Sequence, residues 1–569
     1  MTAEDLFQQF HQNPHVDTLH ALSQAYPHHA YTAFAQGYLY FLQRQWSSAI
    51  TAFHQALSRN PHLWEARYYL AEALQQQGQS TEVAMHYEIL IQQRPDLRQV
   101  WQKLIPLWQW LHEPRRLQES IRFLTSASGQ QLWPEDPDYP FWCSQLEALS
   151  LFLHFCEGSL SMSQLIQRAQ AWFKRYGHCF DPPQASLPTQ PDTRHKPATS
   201  PSATGLRIGY VSHEWPYATL SLGYEKLFAY HAQQQKHTLY AIGGPPLPRN
   251  LQPYFAAQYG LESNPALDII VDLSGWFYLQ GWQWMQHYPH VPKILLGSNP
   301  PFFSPGKHFD RILSDPYVLP KSCRRELSTL VIDMPVFFRW QPGAKLPQSL
   351  PDAQNNMQQH KVFWHTRSNT DGFKIGVAAS PNKITPDTLR LWAMTLRALP
   401  ASTRLTFKGE YYQDPLLRHK YSQAYVEVGG RPEQLHFEDN RQRSDFYSFF
   451  LEQDLILDST PYNGALSTCD AYWAGTPVVA LKGSRGIAHS LRQNTNTLHL
   501  LTQTPEDFIQ KVRDYHHHPE TLTRDSQALP AALWHSEICQ WQHFGQSLET
   551  LYETLHQEFS EKRHKKIAE

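Results

Sequence analysis

The 569-residue sequence has no excess of either charge and no pattern of paired cysteines. Lys and Arg number 49 against 51 Asp and Glu, so no overall field favours a nucleic acid or an anionic membrane surface as a partner. The six cysteines are scattered without a CxxC pair, which is typical of free thiols in a reducing compartment. The composition therefore predicts a protein that binds no nucleic acid.

Long apolar runs and metal-ligand spacings are also missing. No run of about twenty apolar residues occurs, and the start Met-Thr-Ala-Glu-Asp lacks a basic segment followed by an apolar one. We therefore expect a cytoplasmic protein that does not bind membranes. The 31 histidines are spread along the chain without HExxH or a comparable spacing, so no metal site is predicted.

The first 125 residues repeat with a period of 34. Phe53 and Tyr87 are 34 residues apart, as are Pro61 and Pro95. This spacing is typical of tetratricopeptide (TPR) repeats, in which small residues let two helices touch and stacked units form a curved surface that binds protein. Unrelated amphipathic helices are the alternative interpretation.

The repeat units are expected to begin at Ala30, Trp64 and about Arg98, after a partial unit that Pro27 ends. In the third unit, Pro106 is expected to interrupt the first helix. Two further amphipathic helices are predicted between residues 140 and 178.

Beyond residue 205, short apolar runs alternate with helical patterns. Buried strands separated by helices are typical of parallel βαβ units in doubly wound sheets. The predicted strands are 206–211, 237–242, 269–273, 293–296, 311–313, 376–379, 404–407, 434–437, 455–457 and 477–481. The sequence therefore predicts an α/β protein with two Rossmann-like, doubly wound halves, preceded by an all-α TPR-like module.

The resulting domain organisation has seven segments. They are TPR-like repeats at 1–125, a helical bridge at 126–181, a Pro/Ser/Thr-rich linker at 182–205, a first Rossmann-like half at 206–340, a linker at 341–360, a second half at 361–535 and a C-terminal helix at 536–569. In such an architecture, ligands bind at the carboxyl ends of the strands.

The segment after the predicted strand 455–457 carries the densest polar pattern. Asn463-Gly464 favours a turn, and Ser467 stands where a helix would begin, with free N–H groups that attract phosphate. Asp470, one turn into that helix, is placed to accept hydrogen bonds from ribose hydroxyls. Each signal alone is an ordinary turn or helix start, but together with the turn at 475–477 they predict a nucleotide site.

These segments resemble glycosyltransferase family 41, the group of protein O-GlcNAc transferases, plant SPINDLY proteins and bacterial cytoplasmic N-glucosyltransferases. The resemblance covers about residues 206–495. It is strongest in Gly209-Tyr-Val-Ser212, in Ile269-Ile-Val-Asp-Leu-Ser-Gly275, in Lys383-Ile-Thr-Pro386 and from Asn463 to Pro477. It implies a GT-B arrangement of the two halves, and O-GlcNAc transferases also carry TPR repeats ahead of them.

The resemblance also implies roles for individual residues. Lys383 falls on the family lysine that binds the donor diphosphate and helps the leaving group depart, and Asp470 falls on the ribose-binding aspartate. The resemblance also implies further contacts with the donor. Ser467 would lie beside the phosphates, with Asn463 and Gly464 in the loop before it. Phe446 would stack on uracil, Arg443 would contact the ribose, Arg441 would contact the uracil edge through its backbone, and His489 is a further expected donor contact. The structural alternatives are a surface lysine for Lys383, helix core for Phe446 and a structural histidine for His489.

The sequence departs from the family at several positions. Ala218 stands where O-GlcNAc transferases have a loop histidine, and His213 and Glu214 are the nearby candidates for the general base, or are surface residues. Ala465 and Leu466 replace a family histidine and threonine, and Ser380 replaces a glutamine.

The resemblance implies an inverting, metal-independent glycosyltransferase without a cofactor. It would move a sugar from a UDP-sugar, UDP-GlcNAc by the resemblance, to a Ser or Thr hydroxyl of a polypeptide, with protein partners held by the repeats. The alternative is a catalytically weak or inactive scaffold that binds partners through its repeats. An enzyme acting on a lipid or glycan is a third possibility.

Overall fold

The computed structural model describes residues 1–111, 113–180, 205–215, 218–296, 309–324, 327, 330–362, 366, 372–438 and 443–568. The chain divides into two compact units. Unit 1 comprises Met1–Tyr139, Ser380–Ile384 and Phe407–Asp439, and unit 2 comprises Pro140–Ala379, Thr385–Thr406 and Asn440–Glu569. Each unit is therefore built from three separate stretches of sequence.

Helices and strands are numbered in chain order. The helices are α1 (Ala3–Gln12), α2 (Val16–Ala25), α3 (Ala30–Leu42), α4 (Trp46–Arg59), α5 (Trp64–Gln76), α6 (Ser80–Gln93), α7 (Arg98–Trp110), α8 (Pro114–Leu124), α9 (Ala127–Gln130), α10 (Tyr139–Glu157), α11 (Met162–Tyr176), α12 (Ala218–Gln234), α13 (Leu279–Met285), α14 (Leu350–His360), α15 (Pro386–Arg397), α16 (Pro415–Glu427), α17 (Arg443–Glu452), α18 (Leu466–Trp473), α19 (Ile487–Asn494), α20 (Pro505–His517), α21 (Pro519–Trp534) and α22 (Trp541–Ala568). The strands are β1 (Arg207–Val211), β2 (Thr238–Ile242), β3 (Ala257–Tyr259), β4 (Ile269–Asp272), β5 (Lys293–Leu295), β6 (Arg311–Ser314), β7 (Val331–Asp333), β8 (Lys374–Val377), β9 (Arg404–Lys408), β10 (Leu435–Glu438), β11 (Leu455–Leu457), β12 (Val478–Leu481) and β13 (Leu501–Thr502).

Helices α3 to α8 form three consecutive helix pairs in unit 1, and they begin at the residues expected for the three repeats. Small residues allow the two helices of the first pair to touch. A Cβ on Gly37 would lie 2.8 Å from the Phe53 ring, and Ala49 and Ala56 beside that ring are fully buried. The predicted all-α repeat module is therefore confirmed as part of the fold.

The expectation that Pro106 interrupts the third repeat is wrong. Helix α7 continues through Pro106 to Trp110. A proline inside a helix removes one backbone hydrogen bond and crowds the carbonyl four residues earlier. Here it lies in the last turns of the helix, and the apolar residues Leu104, Ile105 and Trp108 around it are buried, so packing retains the helical path.

The first Rossmann-like sheet lies in unit 2 and has the strand order β3-β2-β1-β4-β5-β6-β7. All its neighbouring strands are parallel. The order reverses between β1 and β4, and ligands of this architecture bind at such a switch point, outside the carboxyl ends of the strands. His213 and Ser274 follow those two strands.

The second sheet has the same type of order, β10-β9-β8-β11-β12-β13, and the pairs β8–β11, β11–β12 and β12–β13 are parallel. Its switch point lies between β8 and β11. Strand β9 spans the boundary at which the chain passes from unit 2 into unit 1. The predicted fold class, two doubly wound halves after a helical module, is confirmed.

Helix α22 returns to the first sheet and completes its core. The residues on its buried face are Trp541, Phe544, Leu548, Tyr552 and Leu555, which pack in one cluster with residues of β1, β2 and β4. Full burial of each such side chain stabilises the fold by about 1.5–3 kcal/mol. The Tyr552 and Tyr210 hydroxyls are 3.0 Å apart, so a polar contact fixes how the helix lies on the sheet.

The predicted linker 182–205 lies outside the described residues except for Gly205, and the predicted domain boundaries stay predictions. The stretch 341–360 contains α14, whose Ala353 and Met357 are buried. Among the described residues, no helix is both long enough and apolar enough to cross a bilayer.

Candidate functional site

The loop after β11 is closed by the carboxylate of Asp458. Its Oδ1 accepts hydrogen bonds from the backbone N–H of Ser459 at 2.9 Å and of Gly464 at 2.8 Å. The Asn463 amide donates to the Ser459 carbonyl at 2.7 Å and is fully buried. Asp458 and Asn463 therefore determine the path of the loop, and Asn463 lies inside it.

The loop leads into α18 as the sequence predicts. A Cβ on Gly464 would lie 2.8 Å from the Ser467 Oγ and 3.0 Å from the Thr468 Oγ1, so a side chain at this position would displace the two hydroxyls. Ala465 at the N-cap makes no side-chain hydrogen bond to the helix end. The backbone N–H groups of the first turn and the partly exposed Ser467 hydroxyl thus form an end that favours anions.

Asp470 lies on α18 one turn from this end and is 8% exposed. Its Oδ1 accepts a hydrogen bond from the Trp340 indole N–H at 2.8 Å. Trp340 is fully buried, and its own carbonyl accepts a hydrogen bond from the indole of Trp541 at 3.2 Å. Trp340 is not predicted from the sequence, because nothing in the local pattern around it indicates a partner 130 residues away.

The start of α15 is hydrogen-bonded to the loop after β11. The Thr388 hydroxyl donates to the Thr460 carbonyl at 2.6 Å, and Thr385 caps the helix by accepting from the Thr388 N–H at 3.1 Å. These hydroxyls, in the Lys383-Ile-Thr-Pro386 motif and just after it, have a structural role that the motif alone does not reveal.

Lys383 ends a short 3₁₀ turn, Pro381–Lys383, in unit 1. Its N–H donates to the Ser380 carbonyl at 2.9 Å, and its side chain is partly exposed. Its expected role at the donor diphosphate stays a prediction.

The two candidate bases follow β1. The Nδ1 of His213 lies 3.0 Å from the Ser274 Oγ, and its ring packs on Tyr278 at 5.3 Å between centroids. Burial lowers the pKa of His213 and raises that of Glu214. Imidazole is therefore neutral near pH 7, with a ring nitrogen able to accept a proton.

Asp272, at the end of β4, positions Ser274. It is 1% exposed and accepts from the Ser274 N–H at 2.9 Å, the Gly275 N–H at 3.0 Å and the Trp282 indole at 2.9 Å. Burial raises its pKa to about 6, against the lowering effect of these bonds. We did not predict a role for Asp272, although an aspartate followed by Leu-Ser-Gly after a strand is a signal for such a turn.

The remaining predicted residues lie apart from these contacts or outside the described side chains. His489 on α19 packs on Tyr317 at 4.4 Å between ring centroids. Its pKa is lowered mainly by burial and, to a smaller extent, by the positive charge of Lys482. Phe446 is partly buried, 6.2 Å from the Phe450 ring. Arg441 lies outside the described residues, as does the side chain of Arg443, which begins α17. Their roles stay predictions.

Within the part of the chain that the structure describes, no group of three His, Cys, Asp or Glu side chains is placed to hold a metal ion.

Comparison with known proteins gave sequence relatives for about a third of the chain. No family model matches. The chain is 26% identical over 182 residues to a protein of Oryza sativa subsp. japonica named "Probable UDP-N-acetylglucosamine--peptide N-acetylglucosaminyltransferase SPINDLY". A protein of the same name from Petunia hybrida is 25% identical over 194 residues. These matches cover 30% and 33% of the chain, but only 19% and 20% of the relatives' own length.

Comparison with experimental structures extends the similarity to the whole fold. A mutant of the Thermobaculum terrenum O-GlcNAc transferase aligns with 99% of this chain and 98% of its own, with a TM-score of 0.58 at 19% identity. The resemblance to glycosyltransferase family 41 is thereby confirmed: the chain is similar to SPINDLY proteins in sequence and to a bacterial O-GlcNAc transferase in fold.

Proposed function

We propose that the chain is an inverting glycosyltransferase that moves a sugar from a UDP-sugar to a serine or threonine hydroxyl of a polypeptide. The observation that carries this proposal is the uncapped start of α18, which follows a loop closed by Asp458 and precedes the buried Asp470. Such an end suits a diphosphate, and the carboxylate suits ribose hydroxyls. The names of the sequence relatives favour UDP-GlcNAc as the donor.

In the proposed reaction the acceptor oxygen forms a bond to the anomeric carbon on the face opposite the diphosphate. The bond from that carbon to the diphosphate oxygen breaks, and its electron pair leaves with UDP. The hydroxyl proton passes to His213 or Glu214 and then to solvent. The partly buried, neutral His213 is our first candidate, because Ser274 orients its ring through the Nδ1. The Nε2, 3.7 Å from the Glu214 carboxylate, can then accept the proton.

Charge on the leaving UDP requires a cationic or dipolar partner. We propose that the Lys383 ammonium and the N–H groups at the start of α18 supply it, since a fixed positive charge stabilises the transition state more than the ground state. Asp470, Ser467, Phe446, Arg443 and Arg441 would hold the nucleotide. The TPR-like helices would hold the acceptor polypeptide or other protein partners, and we propose a cytoplasmic location.

A second candidate function, a scaffold with weak or absent catalysis, is favoured by Ala465 and Leu466. Their side chains occupy the N-cap and first turn of α18 without a hydroxyl or imidazole to contact phosphate. Nucleotide binding alone does not separate the two functions, whereas sugar transfer does.

The test combines binding and transfer. We expect UDP and one UDP-sugar, but not GDP-fucose, to raise the Tm of the full chain. Mass spectrometry should then find one added sugar on Ser or Thr of candidate polypeptides incubated with that donor. Binding without transfer or donor hydrolysis would establish the scaffold function.

A further inference from the structure

The turn that carries Lys383 belongs to the same compact unit as the repeats. Unit 1 joins Met1–Tyr139 to Ser380–Ile384 and Phe407–Asp439. Within it, helix α7 of the third repeat packs directly against the turn Pro381–Lys383. A second connection between the repeats and this turn runs through α16.

Asp414 is the first link of that connection. Its Oδ1 caps α16 by accepting from the N–H of Leu416 at 2.9 Å and of Leu417 at 3.2 Å. Its Oδ2 accepts from the N–H of Thr81, in the first turn of α6, at 2.6 Å. The side chain is 3% exposed. One buried carboxylate thus satisfies the amino-terminal ends of a repeat helix and of α16, where a negative charge is favoured.

Lys420, in the second turn of α16, is the second link. Its Nζ donates to the Leu111 carbonyl at 3.1 Å and to the Glu113 carboxylate at 2.5 Å. Leu111 is the C-cap of α7, where a cation is favoured. The same α7 whose side packs on the Lys383 turn therefore has its end held by α16.

Tyr421 connects α16 to the turn itself. Its hydroxyl faces the Pro381 carbonyl, with a long O···O distance of 3.4 Å, and its ring packs against Phe407 at 6.1 Å and Tyr412 at 6.0 Å between centroids. The turn thus contacts α7 and Tyr421, and the links of Asp414 and Lys420 hold the repeats to α16.

We infer that the third repeat and α16 position Lys383, with Asp414 and Lys420 as positioning residues for the transfer step. This rests on the proposed function of Lys383. The repeats then serve turnover as well as acceptor binding. The physical reason is that a catalytic charge must be held within about 0.5 Å of its productive place, and a displacement of about 1 Å can lower the rate on the order of a hundredfold.

The test uses four variants of the full chain. Lys420→Ala removes the link to α7, and Lys420→Arg restores a cation. Asp414→Asn retains an amide oxygen to cap α16, but presents an N–H group to the Thr81 N–H. Gln423→Ala, at an exposed position of α16, is the matched control.

Two measurements are made on each variant. The first is donor hydrolysis without acceptor, as kcat and KM for the UDP-sugar. The second is hydrogen exchange at the N–H groups of Lys383 and Ile384, which donate to the Ser380 and Pro381 carbonyls at 2.9 and 3.0 Å.

We expect Lys420→Ala and Asp414→Asn to lower kcat on the order of tenfold to a hundredfold, to change donor KM less than about threefold and to speed exchange at both N–H groups. Lys420→Arg should restore both readouts, and Gln423→Ala should match the wild type. Unchanged exchange, or an unchanged kcat for donor hydrolysis, would overturn the inference. If the wild type turns over no UDP-sugar, the proposed function is wrong. Hydrogen exchange in the variants would then still show whether the repeats stabilise the turn Pro381–Lys383.

Discussion

At the scale of single residues, Lys383 and Asp470 are expected to act on different steps. Replacing Lys383 by Ala removes a charge that opposes the developing negative charge on UDP, so kcat should fall on the order of a hundredfold to a thousandfold. Asp470→Ala should mainly raise donor KM, because ribose is held equally before and during transfer. Steady-state kinetics of both variants test this. Equal effects on kcat and KM in the two variants would contradict the assignment.

The pH profile distinguishes the two candidate bases. Burial lowers the pKa of His213 below the usual 6.5, so its imidazole stays neutral, and activity should be constant, from alkaline pH down to this lowered pKa. Below it the base becomes protonated and kcat/KM falls. His213→Gln should abolish this acid limb and most activity, with Glu214→Gln as the comparison. If Glu214→Gln, and not His213→Gln, loses the fall in kcat/KM at acid pH, Glu214 is the base.

Asp272 is expected to stabilise the end of β4 through its bond to the Trp282 indole. In Asp272→Asn, one carboxylate oxygen becomes an N–H₂ group, which faces either the Trp282 indole N–H or the backbone N–H groups of Ser274 and Gly275. In either orientation a buried donor loses its acceptor, which should lower the free energy of unfolding by about 1–3 kcal/mol. Trp282→Phe removes the indole donor. The Asn substitution should therefore cost less in that background, and denaturant unfolding of the four proteins measures the difference. Equal costs would show that the indole bond adds nothing.

Sequence motifs predict the local structure of the candidate site but not the partners of its side chains. The Asn-Gly turn and the polar residues after β11 gave the loop and the start of α18 correctly, because turn and helix-start signals are local. The bond from Trp340 to Asp470 joins residues 130 apart, and such pairing depends on tertiary packing that no single window of sequence contains.

At the scale of elements, the junction of loop and α18 depends on Gly464. A Cβ there would crowd the Ser467 and Thr468 hydroxyls at 2.8 and 3.0 Å, so Gly464→Ala should displace these hydroxyls and weaken UDP binding. Gly223→Ala is the control, because a Cβ at that position of α12 meets nothing within 4 Å and should stabilise the helix by about 0.5–1 kcal/mol. Isothermal titration with UDP and thermal unfolding give both values. Unchanged UDP affinity in Gly464→Ala would argue against a phosphate site at this helix end.

Strand prediction succeeded where a short apolar run is buried. All ten predicted strands are present, whereas β3, β7 and β13 were missed. These three lie at sheet edges, and β3 and β7 are mostly only partly buried, so they lack the continuous apolar run by which the equally short β11 was predicted. Pro106 misled for another reason: burial of its neighbours outweighs the local preference of proline.

At the scale of the whole molecule, UDP should stabilise the fold without a divalent cation. A ligand at one hundred times its Kd raises the free energy of unfolding by about 2.7 kcal/mol. The same Tm shift should appear in EDTA and with added Mg²⁺ or Mn²⁺, because Lys383 and the start of α18 are proposed to meet the diphosphate charge. A shift that requires the cation would contradict that arrangement.

Contacts between distant segments are not visible in the sequence. Composition separates residues 1–125 from the later α/β pattern, and the Pro/Ser/Thr-rich stretch suggests independent modules, whose boundaries stay predictions. One compact unit joins residues 1–139 to segments 380–384 and 407–439, through contacts such as Asp414 with Thr81. Contacts over more than three hundred residues leave no mark in local composition.

The three stretches of unit 1 leave the ribosome at different times. About 270 residues separate the first stretch of unit 1 from Phe407, and at about 5–20 residues per second their translation takes roughly 10 to 60 s. During that interval α6 and α7 have been synthesised but Asp414 and Lys420 have not. The N–H of Thr81 and the carbonyl of Leu111 therefore lack these hydrogen-bond partners. The emerging chain therefore displays an incomplete surface that chaperones or other nascent chains can reach, and unit 1 closes only after Phe407–Asp439 has been synthesised.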